Sequence, residues 1–338
     1  MRIGNNPYKD KNVDLNDFFH QIIIPVYIPN FENYFKQSFE IFKLSLQSIY
    51  DTTHKKTFIT IVNNGSCDLI KEYLNQQFQE KKIHELIHTN NIGKLNSIIK
   101  ALAGNSIELV TIADCDVLFK QGWQQETISI FSQIPKVGVV GIVPQFNIHK
   151  LHSFNLLFDN LFNKKLKFLP VKDSISLSKF YDSIGWDKNY NQDYLKYNLA
   201  LIWNTNLQVL VGSGHFVATY KKSIFIKIRT NFYFKMGGFS ESYLDEEPLK
   251  NDYWRVTTQD NFAFHMGNCV ENWMYNINTK VSINNDYEII NNFKILPRIS
   301  KFKFILKNKI IQKLLKNKRI YRLFLKLKKL PLNMIEKY

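Results

Sequence analysis

The chain has 338 residues, of which 45% are apolar, with 45 Lys/Arg against 29 Asp/Glu for a net charge of +16. That apolar share excludes global disorder, and the length allows one large α/β domain or two small ones around a substantial core. No stretch reaches the roughly 18 uninterrupted apolar residues of a membrane-spanning helix.

The N-terminal Met1-Arg2-Ile3-Gly4-Asn5-Asn6 lacks the apolar core of a secretion signal. Cys67, Cys115 and Cys269 are odd in number and widely spaced, as suits a reducing cytosol and not a disulfide framework or zinc ribbon. A cytoplasmic protein is expected. The charge is concentrated: Lys294 to Tyr338 carry 15 Lys/Arg and one acid, Glu336, or +14, and residues 1–293 only +2. A nearly neutral body argues against a general nucleic-acid-binding surface, and no nucleic-acid partner is expected.

In chain order, Gln21-Ile22-Ile23-Ile24-Pro25-Val26-Tyr27 reads as a buried parallel strand closed by Pro29-Asn30. Phe39, Phe42, Leu46 and Ile49 recur at helical spacing, and Asp51-Thr52-Thr53 ends that helix. A second strand, Thr57 to Val62, stops at Asn63-Asn64-Gly65-Ser66, and a helix follows from Asp68 to Gln79. A short strand from Glu85 to His88 leads through Asn90-Asn91-Ile92-Gly93-Lys94 into a helix from Leu95 to Leu102. Glu108 to Ala113 is a third buried strand, and Gly138 to Val143 adds another. Three strand–helix repeats predict an α/β fold, a mostly parallel sheet with right-handed crossovers whose ligands sit beyond the carboxyl ends of its strands. From Phe146 to Leu201 the pattern is irregular and aromatic. Leu207 to Tyr220 then reads as one strand interrupted by Gly212-Ser213-Gly214.

Asp114-Cys115-Asp116 places two carboxylates two residues apart at the end of the strand Leu109-Val110-Thr111-Ile112-Ala113. Such a pair suits a hard divalent cation, Mn²⁺ or Mg²⁺, that neutralises charge on a departing diphosphate. By itself Asp-x-Asp is more often a solvated turn; its place after the most apolar strand favours the site. Asn63 and Asn64 offer amides to a base or ribose, although Asn-Gly is also an ordinary turn. Asn91, Gly93 and Lys94 open a helix whose free N–H groups suit a diphosphate, although a solvated helix start explains them equally.

These turns together resemble the GT-A glycosyltransferases of family 2, of the bacterial surface-glycan type. The likeness rests on Ile23-Ile24-Pro25-Val26-Tyr27, Val62-Asn63-Asn64-Gly65-Ser66, Asn91-Ile92-Gly93-Lys94 and Ala113-Asp114-Cys115-Asp116, within residues 20–145. It implies a GT-A, Rossmann-like fold over residues 1–293, with a nucleotide-binding half at 20–145 and an acceptor half at 146–293. It further implies a nucleotide-diphosphate sugar donor and a glycan or lipid-linked acceptor, with Pro25 and Tyr27 at the base and Asp116, with Asp114, on the metal. The family commonly has Asp-Asp-Gly-Ser where this chain has Asn63-Asn64-Gly65-Ser66. Val211-Gly212-Ser213-Gly214-His215-Phe216 resembles the strand under the donor sugar, which adds Gly214 to the donor contacts. Met236-Gly237-Gly238-Phe239-Ser240-Glu241 resembles the glycine-rich turn before the catalytic acid, so the base is sought among Asp245, Glu246 and Glu247. His265 is the candidate third metal ligand, weighed evenly against a packed core histidine.

The tail, 294–338, reads as two amphipathic helices over Lys301 to Leu330 with a break near Asn317. Ile310, Ile311, Leu314 and Leu315 share one face of the first; in the second, Arg319, Arg322, Lys326 and Lys329 lie opposite Ile320, Leu323, Phe324 and Leu327. An anionic membrane surface is the expected partner of residues 301–330, on the inner face of the plasma membrane, against the alternative of a helix packed on the body. The rival readings are a sugar-phosphate nucleotidyltransferase, which usually has a Gly-rich loop where this chain has Pro25-Val26-Tyr27-Ile28-Pro29, and a non-catalytic basic binding protein.

Overall fold

The computed structural model describes residues 3–7, 9–11, 18–227, 231–237, 241–277 and 293–338. The first half is β1 (His20–Val26), α1 (Ser38–Thr52), β2 (Thr57–Asn64), α2 (Asp68–Gln79), β3 (Glu85–Thr89), α3 (Lys94–Leu102), β4 (Leu109–Ala113), β5 (Val117–Phe119), α4 (Trp123–Gln133) and β6 (Val137–Gly141). There follow α5 (Phe154–Asp159), β7 (Leu166–Pro170), α6 (Ser174–Ser183), β8 (Tyr197–Ile202), β9 (Gln208–Val211), β10 (Val217–Lys221), α7 (Ser242–Lys250), β11 (Trp254–Thr258), β12 (Ala263–His265) and α8 (Asn272–Tyr275). The tail forms α9 (Lys301–Phe304), which runs through π turns at Ile305–Ile310 into α10 (Ile311–Lys316), and then α11 (Lys318–Leu327).

Ten strands form one sheet in the order β3-β2-β1-β4-β10-β6-β11-β9-β8-β7, and β12 pairs with β5 in a second. The strands β1 to β4 are parallel, as the repeats predict; β10 runs antiparallel between β4 and β6. The apolar run of β1 is explained by its two neighbours in depth. Ile22, Ile24 and Val26 pack with Phe42 and Leu46 of α1 and Ile70 and Leu74 of α2, while Ile23 points to the other face, against Leu95 and Ile98 of α3. A strand covered on both faces cannot alternate polar with apolar. Pro25 is tolerated because β1 pairs with β4 only as far as Ile23, leaving no ladder bond for its missing N–H on that side.

Two expectations change. The interval 146–201 is not irregular: it holds α5, β7, α6 and β8. Leu207 to Tyr220 is not one strand but two, β9 and β10, separated in the sheet by β11 and β6. Gly212 lies just beyond β9, with φ of 96° and no room for a side chain, since a Cβ there would lie 2.7 Å from the Ile148 carbonyl oxygen.

The tail breaks at Asn317 as expected, and the Asn317 side chain caps α11 by accepting from Arg319 N and Ile320 N. It is also built into the body. Phe324, Leu325, Leu330, Met334 and Tyr338 share a core with Leu156, Phe168 and Leu199. Lys328 Nζ donates to the carbonyls of Asn160, Leu161 and Asn163, in the turn that follows α5. Lys307 Nζ lies 2.6 Å from both Asp159 Oδ1 and Asp252 Oδ2. The apolar face expected of α11 is divided: Phe324 turns inward with Leu325, while Ile320, Leu323 and Leu327 remain exposed. No described helix is long and apolar enough to cross a membrane.

Candidate active site

The strand order 3-2-1-4 reverses between β1 and β4, so a crevice opens where Tyr27 and Asp114 leave the sheet. The loops around it are tied by their own amides. Asn63 Oδ1 accepts from Ser66 N at 2.9 Å, Asn64 Oδ1 accepts from Ile92 N at 2.9 Å, and Asn91 Oδ1 accepts from Gly93 N at 3.2 Å. Asn63 and Asn64 are buried: Asn63 closes its own turn, and Asn64 ties that turn to the Ile92 loop. Pro25 is buried within β1, whereas Tyr27 is exposed at its end. Gly65, with φ of 87°, lets the two loops meet: a Cβ there would lie 2.7 Å from Asn91 N.

Gly93 precedes α3 with φ of 92°, and Lys94 N donates to the Lys235 carbonyl. Lys94 Nζ lies 2.6 Å from Asp114 Oδ1 and 3.1 Å from Glu241 Oε1. Burial alone would lower the ammonium pKa, but these two carboxylates hold it above the ordinary lysine range.

The β5–β12 pair brings the metal candidates together. His265 stands opposite Val117, and Met266 N donates to the Asp116 carbonyl at 2.8 Å. Asp116 Oδ2 is 3.4 Å from His265 Nε2, and the other ring nitrogen of His265 is held 3.0 Å from Ser183 Oγ. A fixed Nδ1 leaves Nε2 directed at Asp116, and metal-binding histidines are commonly oriented in this way by a hydrogen bond at the other ring nitrogen. Asp116 Oδ1 is buried with no partner among the described residues, and burial, reinforced by Asp114, pushes the carboxyl pKa up to about 6. An orphaned carboxylate oxygen beside an oriented imidazole fits a divalent cation. Asp114 is turned toward Lys94 and does not join them; among the described residues no three His, Cys, Asp or Glu side chains gather at a metal-binding spacing.

Of the three acids on α7, only Asp245 reaches the cavity that holds His265. That cavity, of about 290 Å³, is lined by Phe180, Gly214, His215, Asp245, Arg255 and His265 among others. Asp245 pairs with Arg255, and its Oδ2 lies 3.0 Å from His215 Nδ1. Arg255 also donates to the Ser213 carbonyl at 2.5 Å. Burial opposes ionisation of Asp245, but Arg255 and His215 prevail and depress its pKa. His215 experiences the reverse: burial would lower its pKa, and the Asp245 and Glu241 carboxylates, accepting from its ring, carry it up to about 9. Glu247 is turned away, 2.5 Å from Lys250 Nζ and 3.6 Å from Arg298. Glu246 is half-buried and acts on the charge of His152. Part of the glycine-rich turn, residues 238–240, lies outside the described residues.

The sequence reading missed His215, Glu241, Arg255 and Ser183. Arg255 had a signal: an arginine inside the strand Trp254-Arg255-Val256-Thr257-Thr258 requires a buried acid. The others become visible only through contacts across the fold.

With this geometry in place, a family model described as glycosyl transferase family 2 matches residues 22–225. The chain belongs to glycosyl transferase family 2. No curated protein is similar in sequence. Among solved structures it is similar to the mannosyltransferase PcManGT from Pyrobaculum calidifontis in complex with GDP-Man and Mn²⁺, at 16% identity and TM-score 0.42, over 74% of this chain and 59% of that one. It is also similar to S. aureus TarS 1–349 in complex with UDP-GlcNAc, at 11% identity and TM-score 0.44, over 93% of this chain and 77% of that one. The chain thus spans about three fifths of the mannosyltransferase chain.

Proposed function

We propose that this chain is a glycosyltransferase that moves a sugar from a nucleotide-diphosphate donor to a glycan or lipid-linked acceptor in surface-polysaccharide synthesis, using a divalent cation, Mn²⁺ or Mg²⁺. The observation that supports the reading is one cavity bounded by His265, the neighbour of Asp116, on one wall and by Asp245 on another. The surface-glycan role rests on the sequence resemblance alone.

Asp116 and His265 would hold the cation, with Asp114 joining after release from Lys94. When bound, the cation neutralises charge on the departing diphosphate. Tyr27 and the Gly93–Lys94 helix start face the nucleotide side. In an inverting reaction Asp245 accepts the proton of the acceptor hydroxyl while that oxygen bonds the sugar carbon and the diphosphate leaves. Its depressed pKa keeps Asp245 ionised at neutral pH, and Arg255 and His215 fix both oxygens.

A thermal-shift screen of nucleoside diphosphates with and without Mn²⁺ tests the reading. A bound nucleotide at a hundredfold excess over Kd adds about 2.7 kcal/mol of stability. Asp116→Ala should abolish the Mn²⁺-dependent part of that gain while the protein remains folded. Undiminished nucleotide stabilisation by Mn²⁺ in that variant would remove the metal assignment.

A further inference from the structure

We infer that the outward face of the C-terminal helices is a seat for an anionic lipid bilayer. This inference does not rest on the catalytic reading. It starts from what α11 does with its apolar residues. A basic helix that merely packs on a body buries its apolar side and shows water its charges. Here Phe324 and Leu325 already satisfy the core, yet Leu323 and Leu327 are 67% and 55% exposed and Ile320 is exposed beside them. These three recur at i, i+3 and i+7 and therefore share one helical face. In the preceding helical segment Ile310 and Leu314, four residues apart, are exposed in the same way, while Ile311 is buried. The tail thus has two apolar sides, one used by the body and one that no described residue covers.

The charges around the second side choose its occupant. Residues 301–330 contain 12 Lys/Arg and no Asp or Glu. Lys307 and Lys328 are buried, and the other ten are exposed, among them Lys309, Lys313, Lys316, Arg319, Lys326 and Lys329. A second copy meeting this face across a two-fold axis would set those cations against their own images, with no acid in the segment to relieve them. A nucleic acid would satisfy the cations but leave the leucines in water. An anionic bilayer satisfies both: isoleucine and leucine side chains enter the acyl boundary, while lysine and arginine reach the headgroups around them. Because α11 is anchored by Phe324, Leu325 and Lys328, the membrane contact holds the whole body in one orientation.

Co-sedimentation of the full chain with vesicles tests this, using phosphatidylcholine alone and phosphatidylcholine mixed with phosphatidylglycerol. Binding is expected to the mixed vesicles only. It should weaken from 0.1 M to 1 M salt as the Debye length falls from about 10 Å to about 3 Å. Leu323→Ser with Leu327→Ser should reduce binding at least tenfold with an unchanged melting temperature, since both side chains are exposed. Lys316→Gln, Arg319→Gln and Lys326→Gln together should reduce it about a hundredfold, at about fivefold for each engaged cation. Failure to bind the mixed vesicles would overturn the inference, as would equal binding to both vesicle types. So would a dimer in solution that the two serine substitutions dissolve, or a preference for duplex RNA over mixed vesicles at 0.15 M salt.

Discussion

Replacing Asp245 with Asn separates the chemistry of this site from its stability. The carboxylate is nine-tenths buried and is the ionic partner of Arg255, whose side chain is 1% exposed. Arg255 Nε already lacks a partner, and the Ser213 carbonyl would be the main acceptor left to the guanidinium. Removing one member of a buried pair leaves an uncompensated charge, so Asp245→Asn should destabilise the protein by about 3–5 kcal/mol. Loss of a general base should lower turnover by roughly 10²–10⁴. Urea unfolding reads the first effect and release of nucleoside diphosphate at saturating donor the second. Adding Arg255→Met removes the orphaned charge and should restore most of the stability, while turnover stays lost. The pH dependence supplies a third reading. The folded pKa of His215, about 9, lies above its ordinary 6.5, so its contribution to stability is full below about pH 6.5 and is lost as pH rises through about 9. Without the Asp245 carboxylate this decline between pH 6.5 and 9 should flatten. An Asn variant within 1 kcal/mol of the parent would refute the desolvated pair. A stable variant with parental turnover would place the base elsewhere.

Two further perturbations test the framework around that site. Lys307→Met strands Asp159 and Asp252 with Lys136 as their nearest remaining cation, and should cost about 3–5 kcal/mol in urea unfolding, whereas exposed Lys301→Ala should stay within about 0.5 kcal/mol. Gly65→Ala puts a Cβ 2.7 Å from Asn91 N at φ of 87°; it should cost on the order of 1–3 kcal/mol and weaken nucleotide stabilisation in thermal shift, because the two loops can no longer close on each other.

The region 20–145 was legible in the sequence because its elements are short, regular and sequential. The helix Asp68–Gln79 has the expected bounds, and β1, β2 and β4 are apolar runs, as strands covered on both faces must be. The carboxylates at Asp114 and Asp116 were visible for the same reason, since a strand end marks the crevice without knowledge of its neighbours. Where pairing is non-local, the same reading fails. Strands β9 and β10 are nearly contiguous in sequence, and only hydrogen bonding to β11 and to β4 and β6 sends them to different places in the sheet. The roles of side chains follow that rule too. The amides of Asn64 and Asn91 join their two loops, Asp245 is distinguished from Glu246 and Glu247 only by Arg255 and His215, and His265 meets Asp116 only through the β5–β12 ladder. The amphipathic tail shows the limit most plainly. Periodicity established that it is helical with apolar and basic sides, but which leucines face the body depends on the volume left open by α5 and β7, a property of the packed core and not of the helix.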